Sequence, residues 1–194
     1  DRQYVARLAA LVRGSAAVCP ALDLRCCLLA LDMLYDDAGR ACMDRTGIYV
    51  PNEYVWGVAA QDPAVFLPVV SIHPYNPDAV ALLELWAQKG VRMVKWLPNA
   101  QNIHLGDPRC RPFYDAMARL GIALLSHTGA ESTVDVGHLD QELGNPLLLR
   151  HPLDRGVKVI AAHCATVGTG KDLDDPAGPV VPNFDLWLRL MEAP

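Results

Sequence analysis

Asp107-Pro-Arg-Cys-Arg-Pro-Phe-Tyr-Asp-Ala-Met-Ala-Arg-Leu-Gly-Ile-Ala-Leu-Leu-Ser-His-Thr-Gly129 shows the plan of the whole chain in one stretch. Asp107-Pro108 is a helix start, with a capping side chain followed by a proline at the first helical position. Phe113, Met117 and Leu120 then form a stripe at helical spacing, and Gly121 stops the helix. Ile122 to Ser126 follows as a short, almost wholly apolar run, as expected of a parallel strand covered on both faces. A histidine, His127, stands at its carboxyl end.

The same alternation extends in both directions. Strands are expected at Cys26 to Leu34, Phe66 to Ile72, Arg92 to Leu97 and Lys158 to Ala162. Asn76-Pro77-Asp78 opens a helix whose apolar face is Ala79, Leu82, Leu83 and Trp86, and Lys89-Gly90 closes it. Val5, Leu8 and Val12 predict a helix at the start. Asn183 is the expected cap of a last one, with Phe184, Trp187, Leu188 and Met191 as its stripe. Strands and helices taken in turn mean βαβ units and a parallel sheet, either open and doubly wound or an arc of a barrel. Periodicity does not choose between them. Thr166 to Pro182 is read as the one long loop.

Composition narrows the function classes. With 52% apolar and 20% charged residues in 194, the chain is a globular domain with a sizeable core. A net charge of −5 without a basic stripe leaves no footprint for nucleic acid. No apolar run is long enough to span a bilayer. Six cysteines without a regular framework, among them Cys27 and Cys164 in apolar surroundings, read as reduced thiols of a cytoplasmic protein. Asp1 stands where a methionine would be expected, which favours a fragment.

In parallel sheets the functional groups gather at the carboxyl ends of the strands. Those positions carry Asp32, Tyr35 and Asp36, then His73, then Lys95, Asn99 and Gln101, then His127 and Thr128, and finally His163 and Cys164. Two histidines ending neighbouring strands can converge on one cation, since imidazole nitrogen suits zinc and related metals. Taken singly, each histidine is as readily a satisfied polar residue of a strand end. In the loop after His127, the polar residues Glu131, Asp135, His138, Asp140, Gln141 and Glu142 read mostly as solvated. Glu142 stands out as a specificity residue or a helix-cap partner.

Other chemistries fail on inspection. Gly168-Thr-Gly-Lys171 lacks the first glycine of a phosphate loop, having Ala165 there, and Asp172 replaces its Ser or Thr. Ser126 has no glycine elbow. Cys164 beside His163 is a weak nucleophile lead, because neighbours on a strand face opposite sides. Trp96 and Arg92 would suit an aromatic or anionic substrate, although Trp96 reads better as packing against a helix.

Four segments carry a resemblance. Val69-Val-Ser-Ile-His-Pro74, Gly90-Val-Arg-Met-Val-Lys-Trp-Leu-Pro98, Ile122-Ala-Leu-Leu-Ser-His-Thr-Gly129 and Val157-Lys-Val-Ile-Ala-Ala-His-Cys164 resemble consecutive strands of the amidohydrolase superfamily, in matching order over residues 26 to 165. The branch they resemble is the amidohydrolase-related metal-dependent hydrolases, which also include decarboxylases of aromatic acids. Asp107 to Tyr114 with Leu120-Gly-Ile is similar to the helix between that branch's fourth and fifth strands.

The resemblance implies a partial TIM (β/α)8 barrel, strands two to six, in a single domain over 1–194 that is incomplete at both ends. It implies that His127 binds a divalent metal, zinc in the first instance. His163 either ligates that metal or acts on the attacking water. Lys95 ends the strand that carries a bridging lysine in binuclear members, and is equally read as a substrate-contacting or buried ion-paired lysine. His73, Asn99, Gln101 and Glu142 are the expected substrate contacts. The family's His-x-His pair and final aspartate do not occur in the expected strands. The implied function is hydrolysis of an amide, ester or lactone of a small molecule. Non-oxidative decarboxylation at the same site and a non-catalytic barrel fragment are the alternatives. No nucleic-acid or membrane partner is expected, and a homo-oligomer is an open possibility.

Overall fold

The structure is a computed structural model that describes residues 2–134 and 139–192. Five strands run parallel: β1 (Cys26–Leu29), β2 (Phe66–Val69), β3 (Met93–Trp96), β4 (Ala123–Ser126) and β5 (Val159–Ala161). β1 pairs with β2, while β3, β4 and β5 form a second ladder in that order. Val70 links the two ladders, donating its N–H to Met93 O at 3.3 Å and accepting from Lys95 N–H at 2.7 Å. Order in the sheet is therefore order in the chain, as successive βα units produce.

The helices are α1 (Arg2–Val18), α2 (Asn52–Ala59), α3 (Ala79–Gln88), α4 (Pro98–Gln101), α5 (Arg111–Leu120), α6 (Arg150–Leu153) and α7 (Asn183–Glu192). Asp107 accepts the Arg109 N–H at 2.8 Å and starts a 3-10 turn that runs on into α5. Gly121, at φ 66°, ends α5 in the left-handed conformation that glycine adopts without a Cβ penalty.

Strand alternation decides which side the helices cover. Val70, Ile72, Val94, Trp96 and Leu124 share one face and pack against Leu83 and Trp86 of α3 and Phe113 and Met117 of α5. Phe66, Cys26 and Leu28 continue that face against Ala9 of α1 and Ala59 of α2. Each large side chain buried here contributes roughly 1.5–3 kcal/mol. The opposite face carries Leu29, Met93, Ala123, Leu125 and Ile160. Leu29 is 39% and Ile160 44% exposed, whereas Val94 and Leu124 are fully buried. Helices on one face only are the mark of a barrel arc, since a doubly wound sheet is covered on both.

Several local expectations are corrected. β1 ends at Leu29, and the chain then makes an excursion pinned by bridges Leu31–Val50 and Tyr35–Ala41, so residues 166–182 are not the one long loop. Those residues also hold a small antiparallel pair, β6 (Thr169–Gly170) with β7 (Val181–Pro182). Between β4 and β5 the chain forms 3-10 turns at Gln141–Gly144 and Pro146–Leu149 and the short α6 in place of a long helix. Asn76 accepts the Asp78 N–H at 2.9 Å in a turn before α3, which starts at Ala79. Asn183 is the first residue of α7. All six cysteines carry free thiols, but Cys27 and Cys164 are exposed. No helix among the described residues is long and apolar enough to cross a membrane.

Candidate metal centre

β4 positions His127. By alternation His127 follows Ala123 and Leu125 on the face away from the helices, and its N–H is held by the Trp96 carbonyl at 2.9 Å. Its ring Nε2 lies 3.3 Å from the Ala130 carbonyl. A carbonyl oxygen only accepts, so the proton belongs on Nε2 and the lone pair on Nδ1. Burial, followed by the nearby charge of Lys95, lowers the His127 pKa and keeps this ring neutral.

His163 reaches the same place by a different route. Continuing the alternation of Val159 and Ala161 would send it to the helix-covered side. Instead β5 ends at Ala161, and His163, Cys164 and Ala165 all take positive φ, 45°, 54° and 51°. Left-handed backbone at a residue with a Cβ costs roughly 1–2 kcal/mol. Three in a row persist only where neighbouring structure holds them. Here Ala130 N–H donates to Val167 O at 3.0 Å, and Gly129 N–H to Gly144 O at 2.7 Å. Gly129 also makes room, since a Cβ on it would stand 2.7 Å from the Val167 carbonyl oxygen. The turn brings His163 Nε2 to 3.2 Å from His127 Nδ1, the rings meeting edge to face at 4.6 Å between centroids. Cys164 therefore lies in this turn and not on a strand, so strand alternation says nothing of it.

Two charged side chains flank the pair. Lys95, on β3 opposite Leu125, is 7% exposed. Burial pulls its pKa down to about 8, against the raising effect of Glu131. Among the described residues its ammonium makes no hydrogen bond or ion pair; Glu131 acts on it through space. Glu131 is 6% exposed and lies 3.5 Å from His127 Nδ1 through Oε2. Its other oxygen, Oε1, accepts the N–H groups of Thr133 and Val134. Burial works to raise this carboxyl, but the Thr133 N–H and side chain, His127 and the Val134 N–H prevail and hold it below the usual range. Gln141 clamps the Glu131 backbone from both sides, accepting its N–H at 2.9 Å and donating to its carbonyl at 2.7 Å. Read from the sequence, Glu131 belonged to a solvated loop. Its burial depends on Gln141, ten residues on, and no local pattern announces that contact.

The remaining candidates lie elsewhere. His73 is fully buried at the end of β2. Its Nδ1 accepts the Tyr75 N–H at 3.2 Å and its Nε2 faces the Gln101 carbonyl at 2.8 Å, so both nitrogens are engaged by the backbone. Burial drives its pKa down to about 3. Gln101 ties Leu97 N–H, the Asp32 carbonyl and Ser71 together. Asn99 is buried beneath Gly129 and Gln141, with Oδ1 unpartnered. Glu142 is exposed, and Asp140 caps the turn that contains it. Trp96 packs on the helix side, stacked on Phe113, with its indole N–H on Ile72 O. Asp135 and His138 lie outside the described residues.

The histidine pair fits a divalent cation. Nitrogens bound at 2.0–2.1 Å to one tetrahedral ion stand about 3.3 Å apart. The observed 3.2 Å matches that spacing, and the Ala130 carbonyl already leaves His127 Nδ1 unprotonated. Without a cation, a proton on His163 Nε2 fills the gap. Among the described residues no group of three or more His, Cys, Asp or Glu side chains is placed to enclose an ion, so the pair supplies two donors only.

A parallel arc with its helices on one face defines part of a (β/α)8 barrel. The family model Amidohydro_2, described as Amidohydrolase, matches residues 28–180, and the chain belongs to that family. Among solved structures, an uncharacterised TIM-barrel protein of Bordetella bronchiseptica is 26% identical with a TM-score of 0.49, the match covering 60% of this chain and 42% of that one. The 5-carboxyvanillate decarboxylase LigW of Sphingomonas paucimobilis is 20% identical with a TM-score of 0.44, covering 59% of this chain and 40% of that one. The chain thus spans about two fifths of the length of these structures. No curated protein matches it.

Proposed function

We propose that this chain contributes the metal-holding half of a hydrolase site acting on an amide, ester or lactone of a small molecule. The observation that carries this reading is the 3.2 Å approach of His127 Nδ1 and His163 Nε2 at the carboxyl ends of neighbouring strands. When bound, a divalent cation, zinc in our reading, supplies Lewis acidity that polarises a carbonyl and makes water nucleophilic near neutral pH. His127, its tautomer set by Ala130, serves as a holding ligand. His163 serves as second ligand or takes the proton of the attacking water. Lys95 offers an ammonium of pKa about 8 to the negative charge that develops on the carbonyl oxygen, or to an anionic group of the substrate. The free thiols accord with a reducing, cytoplasmic setting.

Lys95, whose ammonium has no hydrogen-bond or ion-pair partner among the described residues, also favours a second reading, decarboxylation, in which Lys95 holds the carboxylate that leaves as carbon dioxide and an acid at the site returns a proton to carbon. The test is a panel of amides, esters, lactones and aromatic acids, followed by carbon dioxide release and by product analysis with zinc supplied. Turnover of a carbonyl substrate that disappears in His163→Ala supports hydrolysis. Carbon dioxide release that needs Lys95 supports the second reading. Turnover unaffected by either substitution removes both.

A further inference from the structure

We propose that the cavity between the excursion after β1 and helix α3 is a binding site for a small primary alkylammonium ion. The cavity measures about 200 Å³, below the roughly 300–1,000 Å³ of a site for a drug-sized molecule. Asp32, Tyr35 and Tyr49 come from the excursion, Glu53 from the first turn of α2, and Leu82 and Trp86 from α3. The α3 side thus supplies an apolar wall, and the opposite side two carboxylates and two phenols. Leu82 and Trp86 belong to the helix-covered side of the sheet, across it from His127, so this site does not depend on the histidine pair.

What the cavity lacks is positive charge. Among the described residues no Lys, Arg or His lines it. Lys89 is held over the rings of Trp86 and Trp56, at 4.2 and 5.5 Å. Asp32 takes the Met33 N–H on Oδ1 at 2.8 Å and the His73 N–H on Oδ2 at 2.7 Å. These bonds fix the direction of the carboxylate, while each oxygen keeps a lone pair and the charge stays uncancelled. Glu53 and the Tyr49 hydroxyl make no hydrogen bond or ion pair among the described residues. Asn52, also in the wall, is committed to Ser71 through both amide atoms, at 2.9 and 2.8 Å. Burial, then the charge of Asp32, pushes the Tyr35 phenol up to about 12, and burial, Asp32 and Glu53 raise Tyr49 as well. A field that resists further negative charge favours a cation. An ammonium group brings three donors and no acceptor to Asp32, Glu53 and Tyr49, and its alkyl chain suits Leu82 and Trp86. An inorganic cation has no use for that wall, and among the described residues no group of three or more His, Cys, Asp or Glu side chains is placed to hold one.

Butylammonium is the probe, and 1-butanol is its neutral counterpart of the same chain length. The wild-type chain, Glu53→Gln and Asp32→Asn are titrated by calorimetry at constant ionic strength, with circular dichroism confirming that each is folded. The expected result is saturable binding of butylammonium by the wild type in the millimolar range, at least tenfold tighter than butanol. Glu53→Gln should weaken it at least threefold and Asp32→Asn at least tenfold. Should Asp32→Asn not fold, since its carboxylate braces Met33 and His73, Tyr49→Leu takes its place, with a loss of at least threefold expected. The site is overturned if the wild type shows no saturable binding, if butanol binds within twofold of butylammonium, or if Glu53→Gln and its companion variant both stay within twofold of wild type. Nα-acetyl-lysine amide binding at least tenfold tighter than butylammonium would overturn the free-ion assignment and give the cavity to a lysine side chain of a partner.

Discussion

Three strand ends in this arc carry histidines, and they put the imidazole to two opposite uses. At the end of β2, His73 is sealed from solvent, and each ring nitrogen faces a backbone group of the neighbouring loops. At the ends of β4 and β5, one nitrogen of His127 is spent on Ala130, and the other meets the His163 ring 3.2 Å away, a side chain where His73 has only backbone. Position and residue type are the same. What differs is whether the backbone has already taken both ring nitrogens or has left one to a neighbouring side chain.

This contrast is open to breakage, most strongly through acid. The folded chain holds His73 neutral down to a pKa of about 3, whereas the unfolded chain protonates it near 6.5. Stability is therefore complete above pH 6.5 and declines as pH falls from 6.5 toward 3. The loss is about 5 kcal/mol. Denaturant titrations across that range should show this slope, and His73→Gln should flatten it while leaving divalent-metal affinity within twofold. A His73→Gln variant that kept the full slope would locate the acid sensitivity elsewhere.

Lys95, on the neighbouring strand, shifts in the same direction but in a higher pH window. Its folded pKa is about 8 against 10.5 for the free side chain, so the fold bears a buried charge at neutral pH. Lys95→Met should raise stability at pH 7 by on the order of 3 kcal/mol. The wild type should close that gap between pH 8 and 10.5, because there the unfolded chain binds the extra proton. Equal stability of the two at pH 7 would mean that Lys95 is solvated in the folded chain.

Removing the proposed ligand His127 ranks next. His127→Ala should weaken divalent-metal affinity by about 100-fold or more, near 2.7 kcal/mol, with little change in melting temperature of the metal-free chain. The smallest effect separates two glycines of similar backbone. Gly129 has φ 98° and a crowded Cβ position, whereas Gly90 has φ 92° and nothing within 4 Å. Gly90→Ala should cost about 1 kcal/mol from conformation alone, and Gly129→Ala about 1–2 kcal/mol more. Gly129→Ala should also weaken metal binding, because it displaces the Val167 turn that seats His163. Equal losses in the two variants would argue that the turn yields freely.

The legible parts of this chain were those written in local pattern. The five strands fall inside the expected runs, and the start and stop of α5 follow from Asp107-Pro108 and Gly121. The placement of His127 followed from the period-two alternation of β4. The turn at His163 was not legible, because alternation points the other way and three left-handed residues without glycine carry no signal of their own. Glu131 was missed because its burial depends on Gln141. His73 and Gln101 looked equally available as substrate contacts, since nothing in the sequence shows which backbone groups will meet their polar atoms.

Alternating apolar runs and capped amphipathic stretches determined the order of strands and helices and set the histidines at strand ends, because these features depend on neighbours a few residues away. Tertiary structure alone decided that the helices gather on one face, that His163 turns to meet His127, and that Glu131 is buried beside them. Each of those outcomes rests on hydrogen bonds or packing between segments distant along the chain, and a polar side chain becomes a site or a strut according to which of its atoms such contacts leave unpaired.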